Sequence, residues 1–439
     1  MRALLALTLA FLGAAPSVAA GVSARERAIA ARVDASVPAG LTLLERTVNM
    51  NSGTLNPDGV RSVGRAFTPA FEALGFRIRW IDGAAWGRAG HLVATRVGRA
   101  GGANAKRLHV LLIGHLDTVF ERDSPFQRFE RLTDSTASGP GAIDMKGGIV
   151  VMWLALQALE AAGELERLDC TVFLCGDEER SGEPLALARR DLIAAADAAD
   201  VALGFEDGAG DPRTAVVSRR SSGGWVLRTT GKPYHSSQIF RADVGYGSIF
   251  EAARILNAWR DSLAGEALLT FNPGVVLGGT RAHYDEAAGG GGAFGKTNVV
   301  AESTVVAGDL RALSLEQREA ARAAMRRVAA RNLPHASATL EFEDGYPPLA
   351  PSEGNRRLLA MYDQASRDLG HGPVAAVDPA RAGAADISFC EGRVEMALDG
   401  IGLMGDGGHT VGEVADLRTL GSQARRVAVL LSRLGRGAK

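Results

Sequence analysis

A chain of 439 residues is long enough for two or more domains and a large core. Its 46% apolar and 23% charged residues are the balance of a globular protein and exclude a disordered or fibrous chain. A net charge of −1 excludes a broadly basic surface, so no nucleic-acid partner is expected.

Residues 1–20 carry Arg2, the apolar run ALLALTLAFLGA and then PSVAA. A positive start, a short apolar stretch and small residues before a cut describe a signal peptide, cleaved near Ala19 or Ala20. The expected product is exported, periplasmic or secreted; an uncleaved anchor is the alternative. The run is too short to span a bilayer and no later segment reads as a span, so no stable membrane insertion is expected. A first domain starts at residue 21, with helices over 24–48 and 59–75. RLHVLLIG, from Arg107, is an unbroken apolar run, the mark of a parallel strand buried on both faces. KGGIVVMWLALQALEAA, 146–162, reads as an amphipathic helix stopped by Gly163. CTVFLCG and DVALGF are two more buried strands, which gives an α/β domain with a mostly parallel sheet. Cys170 and Cys175 share one strand at odd spacing, so they point to opposite faces and cannot pair. With Cys390 they read as small buried apolar side chains.

Near residue 218 the pattern changes. GGWVLRTTG is a strand, DVGYGSIFEAARILNAWRDSL a helix, and ALLTFNPGVVLGG and TNVVAESTVVAGDLRA are strands. SLEQREAARAAMRRVAARN is a helix opened by Ser314, and ATLEFEDG a last strand. The order β-α-β-β-α-β is the ferredoxin-like unit, expected as an inserted domain over 218–345. The first domain resumes over 346–439. Within the insertion, Gly290 to Thr297 matches G-x-x-x-x-G-K-T, the phosphate loop of nucleotide hydrolases. That loop needs a buried strand before it and a helix starting at its Lys-Thr. Here AHYDEAAG precedes it, and the β-branched run from Asn298 reads as a strand. The stretch is therefore expected to be a Gly-rich connector between strands.

Open α/β sheets bind ligands at the carboxyl ends of their strands. His115 and Asp117 follow the first buried strand, in GHLDTVF, and Asp177, Glu178 and Glu179 follow the second, in GDEERSGE. Glu206 and Asp207 follow the third; Asp144 stands in GPGAIDMKGG and His409 in GGHTVGE. Singly, each has a bland reading as a solvated or hydrogen-bonded pair. Jointly, so many carboxylates in one place repel strongly without a cation. Two histidines among them suit zinc, and the mixed His and carboxylate set without cysteine is the catalytic type.

These five motifs, in this order, resemble the co-catalytic dizinc exopeptidases and amidohydrolases: carboxypeptidase G, aminoacylase-1, acetylornithine deacetylase and succinyl-diaminopimelate desuccinylase. The resemblance covers the mature chain. It implies a zinc-exopeptidase-like α/β sandwich, 21–217 with 346–439, and makes the ferredoxin-like α+β insertion a dimerisation domain of a homodimer. It implies that His115 and Glu206 hold one zinc, Glu179 and His409 the other, and that Asp144 bridges them, with cobalt or manganese as substitutes. It further implies a cis Asp144–Met145 peptide, Asp117 as the carboxylate that orients His115, and Glu178 as general base toward a metal-bridging hydroxide. His235, in GKPYHSS, matches the histidine that stabilises the oxyanion in the partner subunit's site. Asn298 and Arg311 match positions that bind the substrate's carboxylate or reacting carbonyl. Two departures stand out: Tyr346 occupies the place of an arginine that binds glutamate, and Ala384-Ala385-Asp386 that of Gly-Thr-Asp. His109, His283, His335 and His371 fit no motif. The implied function is zinc-dependent hydrolysis of an amide bond in an N-acyl amino acid or short peptide with a free carboxylate, most like a glutamate carboxypeptidase. An aminoacylase, deacetylase or dipeptidase is the alternative, and a nucleotide hydrolase or a non-catalytic binding protein are rivals of other classes.

Overall fold

The apolar runs of the sequence become the middle of a six-stranded sheet. The computed structural model describes residues 21–101, 106–286 and 288–437, and the expected leader lies outside them. Helices α1 (Ala24–Val48) and α2 (Pro57–Glu72) come first, then strands β1 (Arg77–Asp82), β2 (Gly90–Arg96) and β3 (Leu108–His115). Helix α3 (Gly147–Ala161) and strands β4 (Leu168–Cys175) and β5 (Val201–Gly204) follow. The insertion holds β6 (Gly223–Gly231), α4 (Gly247–Leu263), β7 (Thr270–Gly279), β8 (Arg281–Asp285), β9 (Gly290–Phe294), β10 (Ser303–Arg311), α5 (Leu315–Ala329) and β11 (Ala336–Asp344). Helix α6 (Glu353–Asp368), strand β12 (Met396–Leu398) and helix α7 (Arg418–Leu434) end the chain.

The large sheet runs β1-β2-β4-β3-β5-β12. Its four strands from β4 to β12 are parallel, while β1 and β2 add an antiparallel edge that the sequence reading lacked. RIRWID alternates charged and apolar residues, as an edge strand does, without the apolar run that marks the buried ones. Ile29, Val33, Val150, Leu154, Val427 and Leu431 of α1, α3 and α7 pack on one face. On the other face Ile113 and Phe173 meet Leu192, Ala196 and Phe389. Cys170 joins the first core and Cys175 the second, and all three cysteines are free and buried.

Helix α3 differs from its expected amphipathic form. Twelve of its 15 residues are buried, because it lies between the sheet and the other helices. With the preceding turn it forms a 20-residue run, Ala142–Ala161, long and apolar enough to cross a bilayer, which corrects the reading that no later segment is. The protein itself buries 89% of the most apolar 18-residue window of that span, so packing accounts for its apolarity. Gly148 near its start allows a close approach to the residue just past β5: a Cβ there would lie 1.9 Å from the Phe205 carbonyl oxygen.

The inserted sheet is antiparallel with order β7-β10-β6-β11, the ferredoxin-like arrangement. Helices α4 and α5 cover one face around Trp225, Ile255, Trp259, Val306 and Met325. The chain enters and leaves this body on adjacent segments, where Arg219 and Leu349 exchange both backbone hydrogen bonds at 2.9 Å.

The Gly-rich stretch is not the expected loop. Gly290–Phe294 is strand β9, paired with β8 in an exposed hairpin in which Gly292 faces His283. Strand β10 begins at Ser303, five residues later than the sequence suggested, and Asn298 lies in the preceding turn. No helix starts at Lys296-Thr297, so nothing there can cradle a phosphate.

Candidate active site

The register of the parallel strands decides where the chemistry gathers. His115 at the end of β3 lies opposite Cys175 at the end of β4, and Ile113 lies opposite Gly204 of β5. The residues just past those ends, Asp117, Glu178, Glu179 and Glu206, therefore share one edge of the sheet. The turn Ala142–Lys146 before α3 and the loop 407–413 close over the same edge and bring Asp144 and His409.

His115 Nε2 lies 3.0 Å from Asp144 Oδ1 and 3.6 Å from Glu206 Oε1. His409 Nε2 lies 2.7 Å from Asp144 Oδ2 and 3.1 Å from Glu179 Oε2. Two groups of three ligand atoms result, each within 4.8 Å, and Asp144 turns one carboxylate oxygen to each. The Asp144–Met145 peptide is cis.

Burial pushes the Glu178, Glu179 and Glu206 carboxyls up, and the nearby Asp144 charge adds to this. Burial also acts to raise Asp144, but hydrogen bonds with His115 and His409 outweigh it and hold that carboxyl well below the usual range. Hydrogen bonds to Asp144 and Glu179 push the His409 imidazole up to about 11. Glu179 Oε1 is buried with no hydrogen-bond partner. An orphaned carboxylate oxygen among repelling neighbours is what a divalent cation satisfies, and the two imidazoles and three carboxylates fit zinc-type ligation.

Asp117 does more than the sequence suggested. His115 Nδ1 is closer to the Asp117 carbonyl, 3.1 Å, than to its carboxylate, 3.4 Å. The carboxylate accepts from the Thr54 hydroxyl at 2.6 Å and from the Glu178 and Glu179 amides, both at 3.1 Å. It thus fixes the turn that carries both glutamates. Among the described residues, no donor hydrogen-bonds to the Glu178 carboxylate, which leaves it free for a water or substrate.

Behind Glu178 stands a buried ion network that the sequence did not signal. Arg189 donates to Asp177 at 2.7 Å, to Asp386 at 2.8 Å and to the Tyr346 hydroxyl. That hydroxyl donates to the Glu178 carbonyl at 3.2 Å. Tyr346, a departure from the family pattern, and Asp386, which keeps the aspartate of Gly-Thr-Asp, thus serve one support. Arg189→Ala should destabilise the fold by about 3–5 kcal/mol, because it strands two buried carboxylates. Urea unfolding would measure this, and a loss below about 1 kcal/mol would contradict it.

The inserted body holds the remaining expected residues. His235 is exposed, hydrogen-bonded through Nδ1 to the Ser237 hydroxyl at 2.8 Å, and its backbone bridges to Val299. The Ser236 amide donates to the Asn298 carbonyl at 2.9 Å, so His235 and Asn298 are neighbours. Arg311 is not with them. It ends the nine-residue strand that starts at Ser303, about 26 Å away at strand rise, beside the linker at Ser221. Its guanidinium pairs with Asp309 at 2.9 Å. None of the three forms a hydrogen bond or ion pair with the His–carboxylate cluster of its own chain.

The sequence model described as Peptidase family M20/M25/M40 matches residues 111–433. Carboxypeptidase G2 of Pseudomonas sp. (strain RS-16) is 27% identical over 410 residues, 91% of this chain and 90% of its own. Among solved structures, aminopeptidase PepT from Bacillus cereus superposes with TM-score 0.67 at 18% identity, covering 90% of this chain and 98% of its own. The Bacillus subtilis YXEP protein, a dinuclear metal binding peptidase, gives 0.61 at 14%, covering 91% and 98%.

Proposed function

The chain belongs to peptidase family M20/M25/M40 and is a metal-dependent hydrolase of the peptidase and amidohydrolase type; from this we propose that it cleaves the amide bond of an N-acyl amino acid or short peptide in the manner of a carboxypeptidase. One observation carries the reading: the two three-ligand groups share Asp144, one oxygen each, and the unbonded Glu178 carboxylate stands beside them. His115 and Glu206 would hold one divalent cation, zinc by donor type, and Glu179 and His409 the other. When bound, the cations supply Lewis acidity to the scissile carbonyl and to the attacking water. Glu178 takes that water's proton and passes it to the leaving nitrogen.

His235 and Asn298 complete the site from a second copy of the chain. Their distance from Arg311 along β10 supports this, since one chain's insertion cannot bring both ends of that strand to one substrate. β7 is a free sheet edge with Val276 exposed, and α4 beside it exposes Ile249 and Phe250 in a cluster with Phe240 and Tyr246. An unpaired edge beside exposed aromatics is a surface that a second copy covers. His235→Ala should lower kcat about a hundredfold with metal content unchanged. Mixing it with Glu178→Ala should recover activity, because one site of each mixed dimer regains both groups. No recovery would place His235 outside the partner's site.

Tyr346 bears on the leaving group. Its hydroxyl is engaged by Arg189 and the Glu178 carbonyl, and the Arg189 guanidinium is itself committed to Asp177 and Asp386, so neither is offered to a glutamate side chain. Glutamate is therefore not required, and an aminoacylase or dipeptidase is the second reading. The leader expected in residues 1–20 would take the enzyme out of the cytoplasm. Folyl-, acyl- and peptidyl-amino acids, each beside its carboxyl amide, assayed on purified protein test the whole reading. Hydrolysis confined to free-carboxylate substrates supports it; no hydrolysis with metal bound overturns it.

A further inference from the structure

Glu413 is wholly buried, lies outside both ligand groups and takes no part in the steps above. Its Oε2 accepts from the Gly141 amide at 3.0 Å, and its Oε1 from the Ile143 amide at 2.8 Å and the Asp144 amide at 3.3 Å. These donors belong to the turn that presents the shared ligand. Its own carbonyl accepts from the Ser138 hydroxyl at 2.9 Å. Four residues earlier on the same loop stands His409. The loop folds on itself: the Thr410 amide donates to Gly407 and the Glu413 amide to Thr410, both at 3.1 Å. One short loop thus carries a candidate ligand near its start and, at its end, a carboxylate that grips the backbone of another ligand.

We propose that Glu413 is the positioning residue of one metal subsite, the one formed by Asp144, Glu179 and His409, and that it sets this subsite's affinity apart from its neighbour's. The inference rests on the two-metal reading above. A buried carboxylate that accepts three amides fixes them by charge-assisted hydrogen bonds, and without it those amides lose their acceptor. His409 is 59% exposed and has little packing to hold it, so its place depends on this anchor. His115 and Glu206 stand at or just past the ends of β3 and β5 and owe nothing to the loop. Asp144 serves both subsites, so loss of the anchor weakens both, but the subsite that also takes His409 from this loop loses far more.

The test uses the full chain, stripped of metal and titrated with zinc against a competing chelator, for wild type, Glu413→Gln and Glu413→Asp. Gln keeps the shape but turns an amide group toward an amide donor; Asp keeps the charge but is one methylene too short. Circular dichroism checks the fold of each. Both variants should bind one equivalent within about threefold of wild type and the other about 10–100-fold more weakly. Wild-type affinity at both subsites in either folded variant, or equal weakening at both, overturns the proposal. A wild type that takes up fewer than two equivalents overturns the two-metal reading instead, which is a separate result.

Discussion

Glu178→Ala should lower kcat about a thousandfold, some 4 kcal/mol of barrier, and leave both metals bound. The two halves of this expectation have different origins. The loss follows from the position of an otherwise unbonded carboxylate beside two ligand groups. Retention of metal follows from how the turn is held: the Glu178 and Glu179 amides donate to Asp117, and the Glu178 carbonyl accepts from Tyr346. Truncating the side chain of Glu178 leaves those backbone contacts in place, so Glu179 keeps its aim. Steady-state kinetics with elemental analysis would measure both. Full activity in this variant removes Glu178 as the base, and lost metal makes it a ligand.

Asp144→Ala should abolish binding at both subsites and all turnover with it. Each group would be left with two protein ligands, His115 with Glu206 and His409 with Glu179. Thermal melting reads this directly, because a ligand at about a hundred times its Kd stabilises the folded state by about 2.7 kcal/mol. Zinc should raise the melting temperature of the wild type and leave that of Asp144→Ala unchanged. An equal rise in both would show that the cations bind elsewhere.

What the sequence made legible follows from burial. A parallel strand covered on both faces must be an apolar run, and the polar residues that end it stand at the ligand-binding edge, so RLHVLLIG pointed to His115 and CTVFLCG to Glu178 and Glu179. Asp144 and His409 were legible only through the order of motifs, since a turn and a loop carry no period. Arg189 was hidden for another reason. ALARRDL looks like a helix surface, and its burial depends on Asp177 and on Asp386, almost two hundred residues later. Glu413 stood inside the quoted GGHTVGE, where four residues of spacing from His409 was the available signal. The hairpin of β8 and β9 was missed because glycine lacks strand propensity, and its pairing comes from neighbouring backbone.

Anomalous diffraction at the zinc edge, from crystals of the metal-loaded protein, tests the central claim most directly. Two peaks about 3.5 Å apart are expected, one among His115, Asp144 and Glu206 and the other among Asp144, Glu179 and His409. A single peak, or a pair that does not share Asp144, would contradict the account.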